Sequence, residues 1–334
     1  MSKLAPSLIE RLIARTKLSH SIFILVSAIV LLFLPFVIVW LEGSWDELFS
    51  QRYWRAIFVQ PVIIIYILVL ERVFKRMEVS VIRGLREVVR LSDEEFDQLV
   101  ERTTTVNLKN ELLAILAGAV VGLLVASPWD LYQDFSWLLL YLTLVNCIMY
   151  GLLGWVVYAS ISGSRLPVVL YRHPLDIDIF NLKSFKPIGR QSLAISLAFM
   201  GGITISLLFS DISAGIFTIE FWVVYLILVL VAVVVFFLNM MPTHRVLSAA
   251  KEEEMVVVER NLLAAYRKMK GLKPGESATQ AAAQELNAWK TCQDLLGETK
   301  TWPYSIETLR NLLITVLIPG GAALIRLVAE VYFD

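Results

Sequence analysis

The chain has 334 residues, of which 57% are hydrophobic and 18% charged, and its 30 Lys and Arg balance 30 Asp and Glu. Soluble domains run at about 45–50% apolar and about 25% charged. The apolar excess and zero net charge exclude a disordered chain, two Cys cannot form a disulfide scaffold, and the missing basic excess argues against nucleic acid as a partner.

The apolar residues come in long blocks, and a bilayer core takes about 20 apolar helical residues. The expected class is therefore an all-α membrane protein of about seven spans, multi-pass in the cell membrane, with the lipid bilayer as its first partner. The first block is preceded by residues 1–20, where Leu4, Leu8, Ile9, Leu12 and Ile13 share a helical face. Lys3, Arg11, Arg15 and Lys17 lie elsewhere around that helix, so this segment reads as an amphipathic helix in the interface rather than a secretory signal.

Residues 21–241 then read as a bundle of six spans. Uncharged runs fall at 21–41, 56–70, 112–127, 135–160, 191–210 and 221–241. Lys and Arg concentrate before the first run and after the second, fourth and sixth, whereas 127–134 and 210–220 contain none. By the positive-inside rule the N-terminus is cytoplasmic and, with seven spans, the C-terminus lies outside.

Three cytoplasmic segments follow from this layout. Residues 75–110 read as helix, break and helix, with Ser92 and Glu95 forming a capping box before Phe96 and Leu99. Residues 161–190 contain Pro167, Pro174 and Pro187 and read as a structured loop. Residues 242–303 read as a helical hairpin broken at Gly271, Pro274 and Gly275, continuing the sixth span inward. Its apolar face needs cover, from the other loops or from a neighbouring subunit.

The final span, 304–334, differs from the others. Thr308, Asn311, Thr315, Pro319, Ala322 and Arg326 recur at steps of three and four, a polar or small stripe through the bilayer. Glu330 stands one turn beyond Arg326 and can pair with it. The stripe fits a pore-lining helix repeated about a symmetry axis. It equally fits a central helix packed by small residues within one subunit.

Catalytic patterns are sparse. Asp176 and Asp178 share one face of an extended segment and form half of a divalent-ion site for phosphoryl chemistry; pairing with Arg165, Arg172 or Arg190 is the plainer reading. Glu252–Glu254 read as a solvated helix face, and three scattered His support no zinc site. No cofactor is implied. The first six spans, so bounded, hold no acid, which disfavours an ion-coupled transporter. Gly151 and Gly154 in the fourth span, and Gly201 and Gly202 in the fifth, read as close-packing positions.

The stretches 173–180, 187–190 and 301–304 resemble uncharacterised multi-pass membrane proteins of bacteria and archaea. The order of elements is similar to the seven-helix ion-channel superfamily that includes insect odorant and gustatory receptors. That resemblance implies a homotetramer with the last helix lining a central pore and the cytoplasmic helices holding the subunits together. The expected function is thus an oligomeric ion channel or channel-like chemoreceptor. The alternatives are a non-conducting sensor or scaffold acting through its cytoplasmic helices and, third, a lipid- or phosphate-processing enzyme at Asp176 and Asp178.

Overall fold

The computed structural model describes residues 6–43, 45, 53–104, 107–126, 136–209, 219–271, 277–302, 310, 314 and 321. The described chain is helical, its one bridge between extended residues joining Val89 to Leu175. In chain order the elements are α1 (Leu8–Arg15), α2 (His20–Glu42), α3 (Tyr53–Arg86), α4 (Asp93–Thr104), α5 (Leu108–Val125), α6 (Trp137–Gly163), α7 (Arg165–Leu170), a 3-10 turn (Leu182–Phe185), α8 (Lys186–Phe209), α9 (Ile219–Lys270) and α10 (Ser277–Glu298). Six of the described stretches are long and apolar enough to cross a membrane, as in a multi-pass membrane protein. Of the expected seventh span, 304–334, only residues 310, 314 and 321 are described.

Helix starts follow the caps written in the sequence. Ser7 and Glu10 close a reciprocal capping box on α1. Ser92 and Glu95 do the same before α4, the Glu95 amide donating to the Ser92 hydroxyl at 3.3 Å and the Ser92 amide to the Glu95 carboxylate at 3.2 Å. At the other end of the bundle, the backbone amide of Trp137, at the start of α6, donates to the carboxylate of Glu42 from α2 at 2.6 Å. An acid at a helix N-terminus meets the positive end of the helix dipole there.

The bundle is built around α3 and α6. Ile63, Ile64, Ile67 and Leu68 of α3 bury against Tyr141, Val145 and Met149 of α6. Helix α3 also packs on α8, and α8 on α9. Helix α2 lies at the periphery, with Leu25, Phe33 and Leu41 exposed along it, the surface that lipid would cover. Helices α5 and α6 make the closest pair. A Cβ added at Gly118 would overlap the carbonyl oxygen of Tyr150, and one at Gly154 that of Ala114. The expected small-residue packing at Gly151 and Gly154 is therefore within one chain, completed by Gly118 and Gly122 on the facing helix. Asn146, buried in that seam, donates to the carbonyl of Gly122 at 2.7 Å.

The four Lys- and Arg-rich regions gather at one end of the bundle. There Val81 and Leu85 of α3, Phe96 and Val100 of α4, Leu166 and Leu170 of α7, Phe185, Ile188 and Leu247 form a second core. Helix α9 carries the sixth span inward into the hairpin as the sequence reading expected, and it does so without a break at Pro242, as one helix of 52 residues, about 78 Å at 1.5 Å per residue. Pro242 costs the ladder one donor, but Met240 and Thr243 beside it are fully buried and hold the helix on course.

Helix α10 runs back along the second half of α9. Lys268 pairs with Glu285 at 2.9 Å, and Lys251 donates to the carbonyls of Gly297 and Thr299, each at 2.8 Å. Leu263, Tyr266 and Leu295 of the hairpin are exposed, whereas the 161–190 loop covers part of its apolar face, packing Ile177 and Ile179 with Val258, Trp289 and Leu296. A second copy of the chain is not required for that burial.

Candidate functional site

The acidic pair does not form a site with a shared focus. Asp176 is exposed and bonds to Arg90 at 2.8 Å, not to Arg165, Arg172 or Arg190. Its amide donates to the Val88 carbonyl at 2.7 Å, and the Arg90 amide to the Pro174 carbonyl at 3.0 Å, which fixes the loop as a short extended pair with the end of α3. Asp178 accepts from the Phe180 amide at 3.0 Å in an Asx turn. Both aspartates thus shape the loop that carries Ile177 and Ile179 to the hairpin. No group of three or more His, Cys, Asp or Glu able to hold a metal ion occurs among the described residues. Thr308, Asn311, Thr315, Pro319, Ala322, Arg326 and Glu330 lie outside the described residues.

A different constellation stands at the polar end of the bundle, where α1 folds back over α3, α5 and α6. Position 71 of α3 lies in the last apolar turn, and Phe74, Lys75 and Glu78 follow at three, four and seven residues, on one face. Glu111 sits in the first turn of α5, opposite Trp155 of α6. Together these enclose a chamber of about 180 Å³, walled by Ser7 on one side and Arg165 and Gln191 on another.

The carboxylates in the chamber wall hold α1 in place. Glu111 is 3% exposed; it accepts the indole N–H of Trp155 at 3.0 Å and the backbone amide of Leu8 at 3.2 Å. It therefore caps the N-terminus of α1 from another helix. Glu71 is 6% exposed, receives the Ser7 hydroxyl at 3.5 Å and lies 3.8 Å from the His20 ring. Lys75 pairs with Glu10 of α1. Ile9 and Ile13 complete the attachment by burying against the α3–α6 core. The amphipathic face expected of residues 1–20 is real, but its two best-buried residues pack on protein, whereas Leu12 remains exposed.

Runs bounded at 56–70 and 112–127 left Glu71, Glu78 and Glu111 just outside the spans and hid the chamber. The available signal was the 71, 74, 75 and 78 spacing. A second polar contact pins α9 near its middle: the hydroxyls of Tyr171 and Thr243 bond at 2.8 Å. Burial pushes the Tyr171 hydroxyl well above the ordinary tyrosine range, and the bond to Thr243 opposes that rise without cancelling it. His244 stacks on Trp302 with ring centroids 4.1 Å apart, which ties the end of the hairpin back to α9.

Comparisons with protein-family models, curated proteins and solved structures found no match. The similarity to the insect-receptor channel superfamily therefore stands on the order of elements alone.

Proposed function

We propose that the protein is a membrane sensor that reports the state of its helical bundle through the α9–α10 hairpin on the cytoplasmic side. The observation that carries this reading is the continuity of α9. Its first half packs on α8 through Ala232 and Phe236, and its second half carries the hairpin. The contacts of Thr243 with Tyr171, and of Leu247 with the second core, act as a fulcrum between the halves. A rigid helix pivoting there converts a small tilt in the bundle into a displacement of the hairpin. The clustering of Lys and Arg at that end supports its cytoplasmic placement.

The test uses the full chain in nanodiscs, with Cys147→Ala and Cys292→Ala and spin labels placed at Glu101 and Arg267. Lipids of short and long acyl chains change bundle tilt through hydrophobic mismatch. The label separation should shift by several Å, about the reach of a 40 Å arm tilting through a few degrees. Three glycines inserted after Ala249 should abolish the shift. A separation that ignores lipid thickness in the parent protein would sink the reading.

A second reading keeps the protein as an oligomeric ion channel, with the last helix lining the pore of a tetramer. It is favoured by the polar stripe of Thr308, Asn311, Thr315, Pro319, Ala322 and Arg326. Oxidation of Thr315→Cys in the same cysteine-free background is decisive. A cross-linked dimer brings last helices from different subunits together near mid-bilayer, and monomer alone excludes a central pore built on them.

A further inference from the structure

We propose that the chamber between α1, α3, α5 and α6 is a binding site for a small organic ammonium ion. This assignment is independent of how the hairpin is used. Three carboxylates, Glu71, Glu78 and Glu111, line one cavity. Carboxylates taken out of water need a cation or a proton close by. Of the positive groups near them, Lys75 is shared among Glu10, Glu71 and Glu78, the His20 ring lies 3.8 Å from Glu71, and Arg165 is exposed at the rim, so the acids outnumber the cations. The two donors to Glu111 are neutral, an amide and an indole. Glu78 makes no hydrogen bond or ion pair among the described residues; its charged neighbours are Lys75 and Glu10.

The geometry selects the kind of cation. The carboxylates are spread around the chamber rather than focused on one point, and no metal-holding cluster occurs among the described residues. Such spacing suits a cation that touches several walls at once. Phe74, Trp155 and Tyr158 supply aromatic surface in the same wall. Aromatic rings attract ammonium groups, quaternary ones above all, through the negative ring face. The volume of about 180 Å³ lies below the roughly 300–1,000 Å³ of drug-sized pockets. It matches a compact head such as ethanolamine or choline. Such a head arrives either as a free amine or on a phospholipid, because the chamber opens at the end of the spans where headgroups lie.

The experiment has two arms, both on the full chain. In nanodiscs of phosphatidylglycerol, which has no amine, radiolabelled choline and ethanolamine are titrated in the presence of excess sodium. In nanodiscs containing phosphatidylethanolamine or phosphatidylcholine, native mass spectrometry counts the lipid retained after the bulk lipid is stripped. Saturable binding in the first arm identifies a free ammonium compound. Retained lipid in the second, without binding in the first, identifies a headgroup. In either case Glu78→Gln and Glu71→Gln should each weaken binding at least tenfold, with the exposed Glu94→Gln unchanged. If one variant fails to fold, the other carries the comparison. Absence of saturable binding and of retained lipid in the parent protein overturns the proposal. So does binding that both folded Gln variants leave intact.

Discussion

Two regions of the molecule solve the same packing problem by opposite means. The α5–α6 seam brings backbones together through Gly118, Gly122, Gly151 and Gly154, with little side chain between them. The core at the polar end fills the gap between its elements with bulk, from Phe96, Phe185, Leu85, Leu170 and Leu247. Lipid tails are as apolar as Leu, so burying Leu inside a bilayer gains little over leaving it outside. There, close approach and the contacts it permits hold helices together. Where water is the competitor, apolar area itself drives packing. The seam should thus be sensitive to added atoms, and the polar-end core to deleted ones.

Phe96→Ala tests the second half of that contrast and has the largest expected effect. Phe96 is 1% exposed, and the Arg86 guanidinium lies 4.7 Å from its ring centre. The variant should lose about 3–5 kcal/mol, read as a lowered unfolding midpoint in detergent. Gly118→Ala tests the first half. One methyl group cannot fit against the Tyr150 carbonyl without parting the helices, and the cost should reach about 3 kcal/mol, the upper part of the overpacking range. If Gly118→Ala were neutral while Phe96→Ala was severe, the seam would be looser than described and the contrast would fail.

Asn146→Ala should cost less, about 0.6 kcal/mol, the mean for interhelical hydrogen bonds in membranes, even though the side chain is buried and bonded to Gly122. A loss of several kcal/mol in the same unfolding assay would show that the seam depends on polar contacts as much as on shape. The smallest effect belongs to Asp176→Asn. Its partner Arg90 is equally exposed, and exposed pairs are worth about 0.2–1 kcal/mol. Equilibrium dialysis with Mg²⁺ on this variant also decides the enzymatic alternative. Tight binding in the parent that disappears in Asp176→Asn would revive a metal site, and equal weak binding in both would end it.

Much of this architecture was legible because its causes are local. The capping box at Ser92, the amphipathic face of α1 and the hairpin break after Lys270 all act within a few residues. What escaped notice depends on distant partners. Asp176 finds Arg90 86 residues away, and Trp155 reaches Glu111 across 44 residues. No span-by-span reading pairs such residues. The helix continuing inward through Pro242 was expected, but what carries it past the proline was not legible: the burial of its neighbours Met240 and Thr243 outweighs the single lost donor.

The attachment of α1 also sets an order of assembly. Leu8 is held by Glu111, 103 residues later in the chain, and the wall behind that glutamate is Trp155. At about 5–20 residues per second, α1 leaves the ribosome roughly 5–20 seconds before its main anchor exists. Until then only the α3 part of its seat is available, Lys75 and the apolar residues near it. Helix α1 therefore docks after elements that follow it in the chain, and the chamber beneath it closes only when α3, α5 and α6 are already in place.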